Sequence, residues 1–444
     1  MSDPGPAPSE ETPGGADNRR RGHLLLLGRA SWNLIDQVLS ALTNMVLSVL
    51  VVHAAGAKAF DAFSVAFLLF SMVIGVERAL VAQPLSIRHS KENEEERRHT
   101  VARATGLVVG ITVPAAVLMV AAGTVIQGRI GSTLIATAVV LPFLIMQDAC
   151  RYVFFTFGKA KLAALNDALW ALVQFSAMGV LIFVESADAV TLVLTWGGAA
   201  TLCVIVALAQ LKAVPNPLAT FGWIHEHRDL VGYLLGEYML STGAFSGGYL
   251  MVGAIVGEQA VGSIRAAQVL VGPLQIVSGA VMSFGLPELS RRTHISNQAR
   301  RKIALGTSAA MATMSLVYAT VLFLVPGAWG ELLFQGKWAE SQGVLLPLAL
   351  AMACSTSALG PAMVAYALGQ ARRVFRIMTI EAPLVFTLMI GGSVLFNVEG
   401  AAWGQLIDQF LMIPLFYIAL TQVLRDNEAE RRAALKDEPS LFAS

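Results

Sequence analysis

Residues 60–86 read FDAFSVAFLLFSMVIGVERALVAQPLS. A run of that length crosses the ~30 Å hydrocarbon layer of a bilayer as a helix rising ~1.5 Å per residue. Alone, it also fits the buried helix of a soluble protein. Its recurrence decides between the two readings. Comparable runs lie at 30–54, 102–126, 132–156, 163–184, 189–212, 229–254, 261–287, 303–326, 343–368, 374–397 and 399–422, twelve in all, separated by short charged connections. The predicted fold class is therefore an all-α integral membrane protein with twelve transmembrane helices, since only helices or closed barrels satisfy their backbone in lipid. Composition agrees: 55% of residues are hydrophobic and 14% charged, too little polar surface for a soluble chain of 444 residues.

The net charge is +1, so composition indicates no nucleic-acid partner. The distribution of the 31 Lys and Arg is more informative. With the N-terminus in the cytoplasm, nearly all of them fall in cytoplasmic connections, beginning with Arg19, Arg20 and Arg21. Lys58, Arg129 and Lys337 are the outer exceptions, and Arg78, Arg151 and Arg265 lie within spans. This bias predicts an even number of spans with both termini cytoplasmic. Residues 1–29 read as a disordered tail and 423–444 as a second cytoplasmic tail. Cys150, Cys203 and Cys354 fall in apolar segments and read as small buried residues.

The chain also resembles itself at an offset of 201 to 203 residues. Asp36 and Ser40 match Glu237 and Ser241, Gly56 matches Gly257, and Pro84 and Arg88 match Pro287 and Arg291. Farther on, Gly158-Lys159-Ala160-Lys161 resembles Gly369-Gln370-Ala371-Arg372. The expected organisation is two pseudo-symmetric six-helix lobes, 30–212 and 229–422, joined by a cytoplasmic linker at 213–228. Because six is even, both halves enter the membrane the same way.

Ionisable groups at membrane depth are costly and mark candidate sites. Asp36 and Glu237 occupy repeat-equivalent places, each with a serine four residues later on the same helical face, Ser40 and Ser241. They are candidates for cation or proton binding, or else for bracing the bundle through an arginine. Glu381 and Asp408 add carboxylates to the last two spans. Asp148 and Arg151 are spaced to pair within one helix, and Asn166, Asp167 and Trp170 form a polar-aromatic face. Arg78 and Arg151 are the best candidates to neutralise a phosphate headgroup, which an Arg fork suits. Arg265, about a turn inside the outer end of its span, is expected to snorkel outward. No metal-ligand cluster, nucleotide-binding loop or nucleophile–base set is visible in the sequence, so an enzyme is not expected.

The segment Ser31-Trp32-Asn33-Leu34-Ile35-Asp36-Gln37 with Asn44, then Ala57-Lys58-Ala59-Phe60 and a long second span ending Gln83-Pro84, resembles the opening of polysaccharide flippases and their multidrug-exporter relatives. Arg265-Ala266-Ala267-Gln268, Pro273, Pro287 and Arg291 resemble the corresponding start of the second half. The chain is thus similar, over about residues 30–422, to the multidrug/oligosaccharidyl-lipid/polysaccharide exporter superfamily, on its flippase-like branch. The resemblance implies alternating access between two lobes and no cofactor beyond coupling to H+ or Na+. It implies a lipid-linked oligosaccharide or related anionic amphiphile as substrate, with membrane lipids and polysaccharide-biosynthesis enzymes as partners. An acidic residue at Asp36 resembles the ion-coupling position of drug exporters. That keeps two alternatives in view: an ion-coupled exporter of small molecules and a non-transporting scaffold of the same fold.

Overall fold

The computed structural model describes residues 38–90, 92–292 and 295–437. Asp36 and the Arg19–Arg21 group lie outside the described residues. Among the described residues the chain is all helix and turn. Eleven helices are apolar and long enough to cross a membrane: α1 (Val38–Ala55), α2 (Ala57–Arg88), α3 (Glu94–Ile126), α4 (Gly128–Thr156), α5 (Ala160–Phe183), α6 (Ala189–Leu211), α7 (Arg228–Val256), α8 (Glu258–Arg291), α9 (Asn297–Leu324), α10 (Trp338–Ala367) and α11 (Ala371–Glu430). The protein is a multi-pass membrane bundle.

The last helix covers two of the expected spans. Phe396 and Asn397 leave helical geometry, Asn397 with φ 56°, and the chain folds back there. Asparagine tolerates a positive φ better than most side chains. The two legs run antiparallel in close contact. The carbonyl of Gly400 lies where a Cβ on Gly392 would sit, and lower down Gln409 reaches Glu381 while Arg373 reaches Gln422. The second leg continues beyond the membrane edge expected at residue 422: Asn297 donates to the Leu424 carbonyl at 2.6 Å, and Asn427 donates to Asn297 at 2.7 Å.

Helix starts follow from local chemistry. Asn93 caps α3 by accepting from the Glu95 and Glu96 amides, while Glu96 accepts from the Asn93 amide in return. Asp188 and Thr191 form the same reciprocal box at α6. Gly56 and Gly257, the repeat-matched pair, both turn with positive φ (82° and 118°) between consecutive spans. Gly158 and Gly369, the other matched pair, both have φ 71° immediately before a helix.

Packing divides the chain. In the first half α4 is central, touching α2, α3, α5 and α6; in the second, α10 touches α8, α9 and α11, and α7 lies against α11. Contacts between the halves run mainly through α2 against α8. Two five-residue π-turns interrupt otherwise regular helices, Arg78–Ala82 in α2 and Met239–Gly243 in α7. Such turns shift the register of the side chains that follow them. Both border the site described next.

Candidate functional site

A cavity of about 720 Å³ lies between the halves, lined from α1, α2, α7, α8, α10 and α11. Its wall combines apolar side chains with neutral polar ones, including Asn44, Ser241, Gln268 and Gln405. Tyr249 donates to Gln405 at 2.7 Å. Among the described lining residues Arg265 is the single charged side chain. Its guanidinium lies 3.7 Å from the centre of the Phe67 ring, and it donates to the Ser48 hydroxyl at 3.2 Å. Its Nε is buried without a hydrogen-bond partner. The expected snorkelling of Arg265 is therefore corrected. The α2–α8 contact turns it inward, where an aromatic face and a hydroxyl hold a cation more favourably than lipid does.

A second, smaller pocket of about 80 Å³ lies within the first half. Here α4, α5 and the π-turn of α2 bring six of the sequence candidates together. Arg78 grips Asp148 with both prongs of its fork, Nε to Oδ2 at 2.8 Å and Nη2 to Oδ1 at 3.0 Å. Arg151 shares that carboxylate at 2.7 Å, the i,i+3 pair expected from the sequence. It also reaches Asp167 at 3.5 Å and Ser40 at 3.4 Å. Gln147 bridges Asn166 and Asp167, accepting from one at 3.2 Å and donating to the other at 3.3 Å. Trp170 forms one wall. Arg78 and Arg151 thus face carboxylates of their own chain. Beside them Glu77 is fully buried, and neither of its carboxylate oxygens has a hydrogen-bond partner.

The two pockets are linked by aromatic rings. Phe67, under Arg265, stacks on Trp196 at 5.9 Å, and Trp196 stacks on Trp170 at 6.4 Å. Trp170 donates to the Trp196 carbonyl at 3.2 Å, which fixes the pair. Asn44 lines both pockets.

The remaining candidates belong to the second half. Gln409, on the cavity wall, donates to Glu381 at 2.8 Å and to the neighbouring Asp408 at 3.1 Å. The other Asp408 oxygen is buried and unpartnered. Two carboxylates bridged by one amide form a place where a cation or a proton compensates charge. Ser241 lines the cavity and donates to the Glu237 carbonyl at 2.7 Å. Glu237 itself is half-buried and joins neither carboxylate group.

The two ends of α2 are held differently. At the end bearing the Gly56 and Gly257 turns, Lys337 and Asp61 pair at 2.6 Å, and Phe60 meets Phe334 with ring centres 6.2 Å apart. Sequence reasoning placed Lys337 in an outer connection; there its side chain is fully buried. The signal available was a lone cation on a cation-poor face, beside the helix start Trp338. At the opposite end the connection Thr220–Glu226 docks on α2: buried Trp223 donates to the Leu80 carbonyl at 3.0 Å, and Arg88 donates to the Glu226 carbonyl at 2.9 Å. Burial pushes the Glu226 carboxyl up, but the hydrogen bond and charge of Arg103 outweigh it and hold the group below its ordinary value. Burial lowers His227 below the usual imidazole range, partly offset by its bond to the Trp223 carbonyl.

No family model matches the sequence, and no curated protein matches it. Solved structures do. The lipid II flippase MurJ in an inward closed conformation superposes with a TM-score of 0.65 at 11% identity, covering 93% of each chain. A MOP superfamily transporter from Pyrococcus furiosus gives 0.62 at 10% identity, over 91% of this chain and 96% of that one. The Vibrio cholerae MATE transporter VcmN gives 0.57 at 15% identity, over 90% and 97%. At such identities the likeness is one of architecture: this chain has the fold shared by MOP-superfamily flippases and exporters.

Proposed function

We propose that the protein is an alternating-access transporter that exports a small organic amphiphile in exchange for H+ or Na+. The observation that carries this reading is the pairing of two pockets. A cavity of about 720 Å³, with Arg265 as its charged wall group, is joined through Phe67, Trp196 and Trp170 to a buried network of Arg78, Asp148, Arg151 and Asp167. The volume falls within the usual range for small-molecule sites. Engagement of Arg78 and Arg151 with carboxylates favours ion coupling over phosphate binding for that network. Asp36, Asp148 and Asp167 in the first half, and Glu237, Glu381 and Asp408 in the second, are the carboxylates assigned to coupling. Asn166 and Trp170 border the coupling site, and Ser40 and Ser241 orient groups at it.

The moving parts are lobes 30–212 and 229–422, with 213–228 as linker. The matched glycine turns support this division. The positive-inside bias supports cytoplasmic termini with the Asp61–Lys337 pair facing outward, in a bacterial inner membrane as the resemblance implies. A second reading is a flippase for a lipid-linked oligosaccharide, favoured by Arg265 as an anion-facing group in the cavity. The polysaccharide-biosynthesis partners belong to that reading alone.

Proteoliposomes separate these functions. Export of organic amphiphiles that responds to a pH or Na+ gradient, and loses that response in Asp36→Asn, is the expected result. Movement of a polyprenyl-phosphate-linked sugar with no ion-dependent export would reject the exporter in favour of the flippase.

A further inference from the structure

Sequence reading found no metal-ligand cluster, because the residues concerned come from segments more than a hundred positions apart. His89 closes α2, and Glu226 and His227 precede α7. One ligand atom from each lies within 4.8 Å of the others. The two imidazoles meet through Nε2, 2.9 Å apart. The opposite nitrogen of each ring is already committed. His89 Nδ1 faces the Glu92 carboxylate at 2.5 Å, and His227 Nδ1 faces the Trp223 carbonyl at 2.9 Å. A carboxylate and a carbonyl only accept, so both Nδ1 atoms carry the proton and donate it. In the neutral rings both Nε2 atoms therefore present lone pairs to one another. Two lone pairs at that distance repel unless a proton or a metal ion lies between them.

We infer that His89, His227 and Glu226 form a binding site for one divalent transition-metal ion, fastening the end of α2 to the connection that enters α7. Metal–imidazole bonds of about 2.0–2.1 Å place two ligands at right angles about 2.9 Å apart, the separation found here. Tetrahedral binding requires the rings to part by roughly half an ångström. Two imidazoles and a carboxylate select Zn2+, Ni2+ or Cu2+ over Mg2+ or Ca2+. The outer contacts are those that orient metal-bound histidines, an Nδ1–H donated to a carboxylate or a carbonyl. Glu92 is itself held by the Thr100 hydroxyl at 2.9 Å. Trp223 stacks on both rings, with centres 5.5 and 4.2 Å away, which fixes their planes. Arg103 holds one Glu226 oxygen at 2.5 Å and leaves the other for the ion. Arg88 reaches the Glu226 carbonyl and Asp229 and does not occupy the ring nitrogens. His227 is buried while Glu226 is exposed, so an ion enters past the carboxylate.

Binding does not depend on the transport reading. Its consequence does, because an ion here clamps the end of α2 in the first lobe to the linker that leads into the second and slows their relative motion. The test uses untagged full-length protein in detergent, stripped with chelator and titrated with Co2+ and then Zn2+. One Co2+ per chain with a ligand-field spectrum, displaced by Zn2+, is expected. It should be absent from His89→Ala and His227→Ala and unchanged in His53→Ala, an exposed histidine elsewhere. Glu92→Gln should weaken binding about 10- to 100-fold. In case the variants fold poorly, the unmodified protein is also alkylated at histidine with and without Zn2+; His89 and His227 should be protected selectively. Absence of the Co2+ spectrum, its survival in both histidine variants, or no protection by Zn2+ would overturn the site and leave only a proton shared between the rings. Slower transport in Zn2+ without binding at these residues counts against it equally. Binding without slower transport retains the site and counts against the lobe reading.

Discussion

Lys337 and Asp61 form an ion pair of 2.6 Å that is closed to solvent and joins the two halves of the chain. Lys337 also donates to the Gln259 carbonyl at 3.2 Å and pairs with Glu340. A Cβ on Gly262 would fall 1.9 Å from the Asp61 carboxylate, so only glycine lets α8 approach α2 there. Removing one partner of such a pair strands a buried charge and costs about 3–5 kcal/mol, whereas replacing both often costs little. Lys337→Met should therefore lower the thermal midpoint in detergent well below that of Asp61→Asn/Lys337→Met. Equal losses in the single and double variants would show that the pair carries no coupling.

Arg265 is expected to set the charge preference of the cavity. Its hydrogen bonds to an anionic group are worth about 1.5–3 kcal/mol, so Arg265→Gln should weaken binding of an anionic amphiphile about tenfold or more. Neutral analogues should be affected much less. Equilibrium binding by fluorescence, using a matched charged and neutral pair, gives the comparison. An equal loss for both ligands would assign Arg265 to packing on Phe67.

Asp148 holds two arginines, and its loss leaves both in a buried pocket. Asp148→Ala should destabilise the protein by about 3–5 kcal/mol, read as a lowered midpoint and poor recovery from the membrane. Arg78→Lys, which keeps the charge but loses the fork, should fall between wild type and Asp148→Ala. A fully stable Asp148→Ala would mean that the network is solvated.

Asp408 has an unpartnered buried oxygen, so its neutral amide should be tolerated by the fold. Asp408→Asn and Glu381→Gln are expected to keep the wild-type midpoint while changing the dependence of transport on the pH or Na+ gradient. Unchanged ion dependence in both variants would confine coupling to the first half.

The spans were legible because apolar runs interrupted by charged connections have few other solutions. So was the Asp148–Arg151 pair, which depends on neighbours in sequence. What faces inward was not. In lipid, core and surface are equally apolar, so Phe67 in the core and Phe183, 88% exposed, look alike in the sequence. The inward turn of Arg265 and the burial of Lys337 were hidden for the same reason, since their partners Phe67 and Asp61 come from a helix some two hundred or more residues away. His89 and His227 read as ordinary connection residues until folding brought them together.

The motion of the two halves is tested most directly by tethering them where they now meet. In a chain with Cys150, Cys203 and Cys354 replaced, Asp61→Cys and Lys337→Cys are joined by a short reducible cross-linker after reconstitution. Transport should stop on cross-linking and return on reduction. Undiminished transport with the link fully formed would contradict alternating access through this cavity.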